Sequence, residues 1–283
     1  MVITTPGHGL IFDTVMLHGI VRHLAENNIY DGTIERVGDR YKIEIDNIPP
    51  PGVTKGVDMA FRLLGIDIEV EDREVDLTRY LDPHVCEPKR EPPPVLSLKW
   101  YNKVCDSCLT LAGLGILYGL AHFKTPGAIT LMTFAPHRAA LRETSLQIPR
   151  LAVGEIFQND KLPLALALYL TSMHYVKLDG QYDLITWRVV DRDIKYFRIV
   201  SLNRFVEFAA NLNDATGWAW RACVMTLIER APDVLNVVAE YALTGGDVYR
   251  IAKELNHVVV NDKDAAAHCE LDKIASILTG WRP

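Results

Sequence analysis

Four residues of the chain have side chains that a metal ion takes as ligands: His84, Cys86, Cys105 and Cys108. They read as His84-x-Cys86, then eighteen residues, then Cys105-x-x-Cys108. Two such pairs bring imidazole and thiolate donors to the corners of a tetrahedron, the chemistry of a structural zinc site. The single residue inside the first pair is tighter than the usual spacing, and Pro83 and Pro88 hold that segment in an extended or turned path. Two other readings compete with zinc. Buried cysteines pack as small hydrophobes, and a Cys-x-x-Cys can be a redox pair, although that motif normally follows a strand and Leu98 to Lys103 is poor strand sequence.

A second set of residues has the chemistry of phosphate binding. The net charge of -6 is unevenly spread. Residues 1–83 carry eight Lys or Arg against fifteen Asp or Glu, residues 84–150 carry eight against four, and the rest carries fourteen against seventeen. Only the middle is basic, so phosphates would be met there, by Lys99, Lys103, Lys124, Arg138 and Arg142. Further on, Arg188, Arg192, Lys195, Arg198 and Arg204 interleave with Trp187, Tyr196 and Phe197, and cations beside aromatic faces suit phosphates and stacked bases. The plainer alternative is a pair of strands with one basic face.

His8, His18 and His23 gather around one apolar stretch, where a histidine is more often a core residue than an acid–base group. A hydrolase reading would join His8, His18 or His137 to the Asp13 carboxylate with a metal ion. No P-loop, nucleophile-and-base set or telling carboxylate pair stands out, and the balance favours binding over catalysis.

The elements that must position these residues follow from pattern. LIFDTVMLHGIVRHLAENN has helical periodicity after the turn residues Thr4 to Gly9. TIERV and RYKIEID alternate across Gly38-Asp39 as a hairpin. Thr54 to Leu64 reads as a helix and Ile66 to Val70 as a strand, and the acidic string from Glu69 to Asp76 reads as a solvated face. CEPKREPPPV reads as a proline-stiffened link. Leu109 to Phe123 carries no charge but falls short of the roughly 20 apolar residues of a membrane span, so it reads as a buried helix. Gly115 and Gly119 share one of its faces, thin enough for another backbone to approach, and Gly113 adds to it.

AITLMTF then reads as a strand, APHRAALRETS as a helix, RLAVGEIF as a strand and Lys161 to Tyr175 as a buried helix. YDLITWRVV and IKYFRIVSL read as a hairpin with its tip at Asp191-Arg192-Asp193. Beyond Asn211 helices take over, with Asp214, Asp247 and Asp262 as caps and Pro232-Asp233 as a start; the last helix stops at Gly280. DVLNVVAEYALTGGDVYRIAKELN has the outline of a helix-turn-helix, with little positive charge where it would face a groove.

The expected fold is therefore α+β. A mixed body over residues 1–212, with a break near the link at 87–95, is followed by a helical C-terminal bundle over 213–283. No charged region with an apolar core and small-residue cleavage site opens the chain, and five scattered cysteines fit a reducing compartment, so the expected location is cytoplasmic, without a membrane.

TTPGHGLIFDTVMLHGIVRHL, the central CDSC on an apolar helix and the helical C-terminus together resemble the large-subunit family of archaeal type I-A CRISPR interference (Cascade) complexes. The resemblance implies a non-enzymatic subunit in antiviral defence. It would hold guide RNA on target DNA with the other interference subunits, contact the protospacer-adjacent motif and help to recruit the helicase-nuclease. In such complexes base pairing reads sequence, and protein reads only a short duplex motif. A metal-dependent nuclease or other hydrolase, and a helix-turn-helix regulator, remain the alternatives.

Overall fold

The computed structural model describes residues 1–47, 50–53, 57–66, 70, 74–77, 90–98, 103–152, 163–174, 177–191 and 193–283. The fold is α+β, with an antiparallel sheet and a helical C-terminus. It forms two compact units, residues 1–158 with 179–199, and residues 159–178 with 200–283.

In the first unit β1 (Val2–Thr4) leads into α1 (Leu10–Glu26), which runs over the predicted periodic stretch. β2 (Gly32–Val37) and β3 (Arg40–Ile45) form the predicted hairpin, and Gly38 takes the turn at a φ of 64°, where a side chain would be strained. Short strands β4 (Gly52–Val53) and β5 (Glu74–Val75) pair with each other, and α2 (Val57–Leu63) lies between them in sequence. The predicted strand at Ile66 to Val70 falls mostly outside the described residues.

α3 (Asp106–Gly119) is the predicted buried helix, but it is shorter than expected. The chain turns at Gly119 into β6 (Leu120–Thr125), so Leu120 to Phe123 extend where the uncharged run had suggested more helix. Two contacts fix this change. The Thr133 hydroxyl donates to the Gly119 carbonyl at 2.7 Å, and a Cβ on Gly119 would lie 2.2 Å from the His18 ring.

β7 (Ala128–Ala140) also departs from expectation, because it continues through the segment read as a helix, APHRAA. Pro136 has no N–H to give a ladder. The chain absorbs it with an irregularity in the β7–β8 register between Pro136 and Arg138. α4 (Leu141–Ala152) then holds Arg150 to Ala152, which had been assigned to a strand. β8 (Gln181–Val190) and β9 (Asp193–Ser201) close the series as predicted.

The sheet order is β1-β3-β2-β7-β8-β9, with β6 also bonded to β7. The long strand β7 therefore carries β6 along its first half and β2 at its end. Ile129, Leu131 and Ala135 of β7 join Phe12, Met16 and Ile20 of α1, Leu111 and Ile116 of α3, and Trp187 of β8 in one apolar core.

α1 and α3 meet through glycine. A Cβ on Gly115 would lie 1.7 Å from the Val15 carbonyl oxygen, and one on Gly19 would lie 1.9 Å from that of Leu111. Backbone rests on backbone here, as the glycine face of the sequence implied.

The second unit is helical. α5 (Pro163–Met173) is buried from Pro163 to Ser172 and packs on α6 (Leu202–Thr216), α7 (Ala219–Arg230) and α8 (Pro232–Thr244). The Trp220 indole donates to the Ser172 hydroxyl at 2.9 Å, tying α7 to α5. α6 runs through the 212/213 division, and Asp214 lies inside it rather than capping the helix that follows. Asp247 caps α9 (Val248–Asn261) as expected, accepting from the Tyr249 and Arg250 N–H groups. Asp262 caps α10 (Lys263–His268), but this helix ends before α11 (Leu271–Gly280), so the last predicted helix is two. A disulfide joins Cys223 of α7 to Cys269 in the break between them, a pairing that the separation of 46 residues concealed. No helix among the described residues is long and apolar enough to cross a membrane.

Candidate functional site

Apart from Arg204, the predicted phosphate-binding residues that the structure describes belong to the first unit. Arg138 is exposed near the end of β7, and Arg142 is exposed in the first turn of α4. Lys103 is exposed just before α3, and Lys124 is exposed on β6. Arg188 is half-buried on β8. On the exposed strand β9, Lys195 pairs with Asp193 at 2.9 Å, and the Arg198 guanidinium lies 5.5 Å from the centre of the Tyr196 ring. Lys99 and Arg192 lie outside the described residues. Arg204 is held elsewhere, in the second unit, where its guanidinium donates to the Leu243 carbonyl at 2.6 Å.

Lys124 and Arg138 line separate cavities. Lys124 lines a groove of about 660 Å³ with Asp191 and the apolar Leu64, Val95, Ile129 and Val189. Arg138 lines a smaller polar cavity of about 180 Å³ with Thr33, Glu35, Lys42 and Glu44. Register explains the second cavity, since Glu35 stands opposite Lys42 on one side and Arg138 on the other.

Of the expected zinc ligands, His84 and Cys86 lie outside the described residues. Cys105 caps α3, and its sulfur lies 3.2 Å from that of Cys108. Cys108 is buried and forms no disulfide, whereas Cys105 is disulfide-bonded. A disulfide sulfur has no thiolate to offer a metal ion, so zinc at this pair would require reduction first. Among the described residues no group of three or more His, Cys, Asp or Glu side chains is arranged to hold a metal.

Asp13 is fully buried near the start of α1 and accepts from the Gly7 and His8 N–H groups at 2.8 and 2.7 Å. Burial pushes its carboxyl up to about 6, against the opposing pull of these donors, the Thr5 hydroxyl and Arg40. Its work is to fasten the Pro6–Gly9 turn to the helix. Burial holds His8 down at about 4 and His18 down at about 3.

The histidine that does meet a carboxylate is His137, and the carboxylate is Asp183. His137 Nε2 lies 2.7 Å from Asp183 Oδ2, and Arg36 Nη2 reaches the same oxygen at 2.9 Å. Arg36 Nη2 is also 2.8 and 3.0 Å from the two ring nitrogens of His137, so it lies across the imidazole between them. β2, β7 and β8 each contribute one of the three. The Arg36 and Asp183 side chains are 13% and 16% exposed, while that of His137 is 43% exposed. All three residues are half-buried, with the imidazole the most exposed of the three.

Residues 1–68 match the model of a family described as CRISPR-associated protein (Cas_Csa4). The match points to a CRISPR-associated protein. No curated protein matches the chain. The Cas_Csa4 match covers β1 to α2, and so includes Asp13, Arg36 and the glycine contact at Gly19. His137, Asp183 and the predicted basic residues lie beyond it. Sequence reasoning weighed His137 with Asp13 and missed Asp183 and Arg36, because these two partners are 46 and 101 residues from His137 and no local pattern joins them.

Proposed function

We propose that this chain is a binding subunit of an RNA-guided CRISPR interference complex, working with the other interference subunits on guide RNA and target DNA. The Cas_Csa4 match over residues 1–68 carries this reading. Its contact with DNA beside the protospacer falls to the exposed cations of the first unit, Lys103, Lys124, Arg138, Arg142, Lys195 and Arg198, together with Arg188 and with Lys99 and Arg192. Because the whole chain is acidic, the isolated protein binds duplex DNA poorly, and affinity appears in the complex, where other subunits hold the backbone.

Reversing charge at Arg138, Arg142, Lys195 and Arg198 together tests the proposal. The assembled complex should lose affinity for its target at every flanking sequence, with a flatter salt dependence of about one unit of slope for each phosphate contact removed. Unchanged affinity and salt slope would assign DNA contact to another surface. Zinc on His84, Cys86, Cys105 and Cys108 belongs to the same reading, as a structural ion of the reduced chain. Metal analysis after purification under reduction, finding less than about a tenth of an equivalent, would dispose of it.

A further inference from the structure

We infer that β9 is an interface strand, which pairs antiparallel with β9 of a second copy of this chain and so joins two sheets into one. β9 stands last in the sheet order, hydrogen-bonded to β8 on one side, and no described strand pairs with its other side. That edge is a row of N–H and C=O groups, the template on which another strand adds. The opposite edge of the sheet is kept short, because β1 has 3 residues, whereas β9 has 9 and contains no proline. Ile194, Tyr196, Phe197, Ile199 and Val200 are β-branched or aromatic, the types that favour an extended chain, and Ile199 is 43% exposed. Lys195, a usual guard of an open edge, is paired with Asp193 of its own strand at 2.9 Å. A long apolar edge of this kind calls for a partner strand.

The strand's own sequence selects the partner. Two copies in one continuous antiparallel sheet are related by a two-fold axis perpendicular to it, and that axis must pass beside one residue of each strand, since paired side chains share a face. With the axis at Phe197, the middle of the strand, every residue of β9 is paired. Phe197 meets its own copy, Tyr196 meets Arg198, Lys195 meets Ile199 and Ile194 meets Val200. Aromatic pairs and opposite apolar side chains are the contacts that stabilise neighbouring strands. Within one chain the Arg198 guanidinium already lies 5.5 Å from the centre of the Tyr196 ring, and the pairing gives it a second ring at two symmetric places. No like charges stand opposite each other in this register. An axis one residue later sets Arg198 against Arg198, and one residue earlier sets Ile194 against Arg198, with a shorter ladder in both cases. The pairing uses the backbone groups of the edge, so it goes beyond the proposed DNA contact and does not depend on it.

The test measures the mass of the full-length chain in solution, by sedimentation and light scattering, without nucleic acid. A concentration-dependent passage from one chain to two is expected. Tyr196→Lys sets an ammonium group opposite Arg198 of the other copy at both symmetric places and should return the protein to a single chain. Tyr196→Lys with Arg198→Glu replaces that repulsion with an ion pair and should restore the dimer, which a variant that had merely lost its fold would not do. Phe197→Cys should give a covalent dimer on mild oxidation, because facing residues of antiparallel neighbours have Cα atoms about 4.5–5.5 Å apart, within the span of a disulfide. Ile194→Cys, which faces Val200, should not. A single chain at every concentration, a dimer unmoved by Tyr196→Lys, or equal cross-linking of the two cysteine variants would overturn the inference. Because no DNA enters these measurements, their failure leaves the proposed DNA contact standing.

Discussion

Burial decides the acid response of this protein at single residues. His18 is inside the core and is held neutral down to about 3, and His8 to about 4, because desolvation opposes their charged forms. In the unfolded chain both charge near 6.5. The unfolded state therefore binds more protons below that pH, and stability should fall as pH drops from 6.5 toward the folded values. Asp13 acts in the opposite sense over a narrower window. Its folded value of about 6 lies above the ordinary 3.8, so its contribution is present at low pH and is lost as pH rises through that interval. His18→Gln should flatten the acid loss of stability, measured by denaturant unfolding between pH 4 and 7, by up to about 1.4 kcal/mol per pH unit. An unchanged slope would place the acid sensitivity elsewhere. A histidine on an apolar helix reads as a core residue, but the partner of His137 becomes visible only when β7 and β8 are laid in register.

Among the elements, the helix crossing of α1 on α3 gives the sharpest contrast. Gly115→Ala and Gly19→Ala each drive a methyl group into a carbonyl of the opposite helix, where neither backbone can yield. Each should destabilise the first unit by about 2 kcal/mol or more. Gly280→Ala, with nothing within 4 Å of the new methyl group, should be neutral or slightly stabilising in the same thermal unfolding measurement. Asp247→Ala removes the cap of α9 and should cost about 1 kcal/mol. These elements were legible where pattern and local chemistry agree: the periodic α1, the hairpin at Gly38, the glycine face of α3 and the caps at Asp247 and Asp262. They were not legible where tertiary contacts override pattern. LAHF is apolar enough for helix or strand, and pairing with β7 together with the His18 ring at Gly119 decides for strand. APHRAA looked helical because its alanines and arginine favour a helix, yet β8 holds it extended. The join of α10 and α11 is broken at Cys269, where the disulfide anchors the chain.

For the whole molecule the Cys223–Cys269 bond closes a loop 46 residues apart in sequence. On the chain-entropy argument it restricts the unfolded state by about 4 kcal/mol. Reduction should lower the melting temperature of the second unit, and the double substitution Cys223→Ser with Cys269→Ser should lower it to the same extent and leave that unit without a further response to reductant. A melting curve indifferent to reductant in the wild-type chain would show that the bond adds nothing. The same unit takes α5 from between two segments of the first, and this has a consequence for synthesis. An apolar helix leaves the ribosome at residues 163–173, but α6, the first of its packing partners in the second unit, begins only at Leu202. While some 30 further residues are made, at roughly 5–20 per second, α5 must wait for that shelter, in the very interval when a nascent chain attracts chaperones or aggregates.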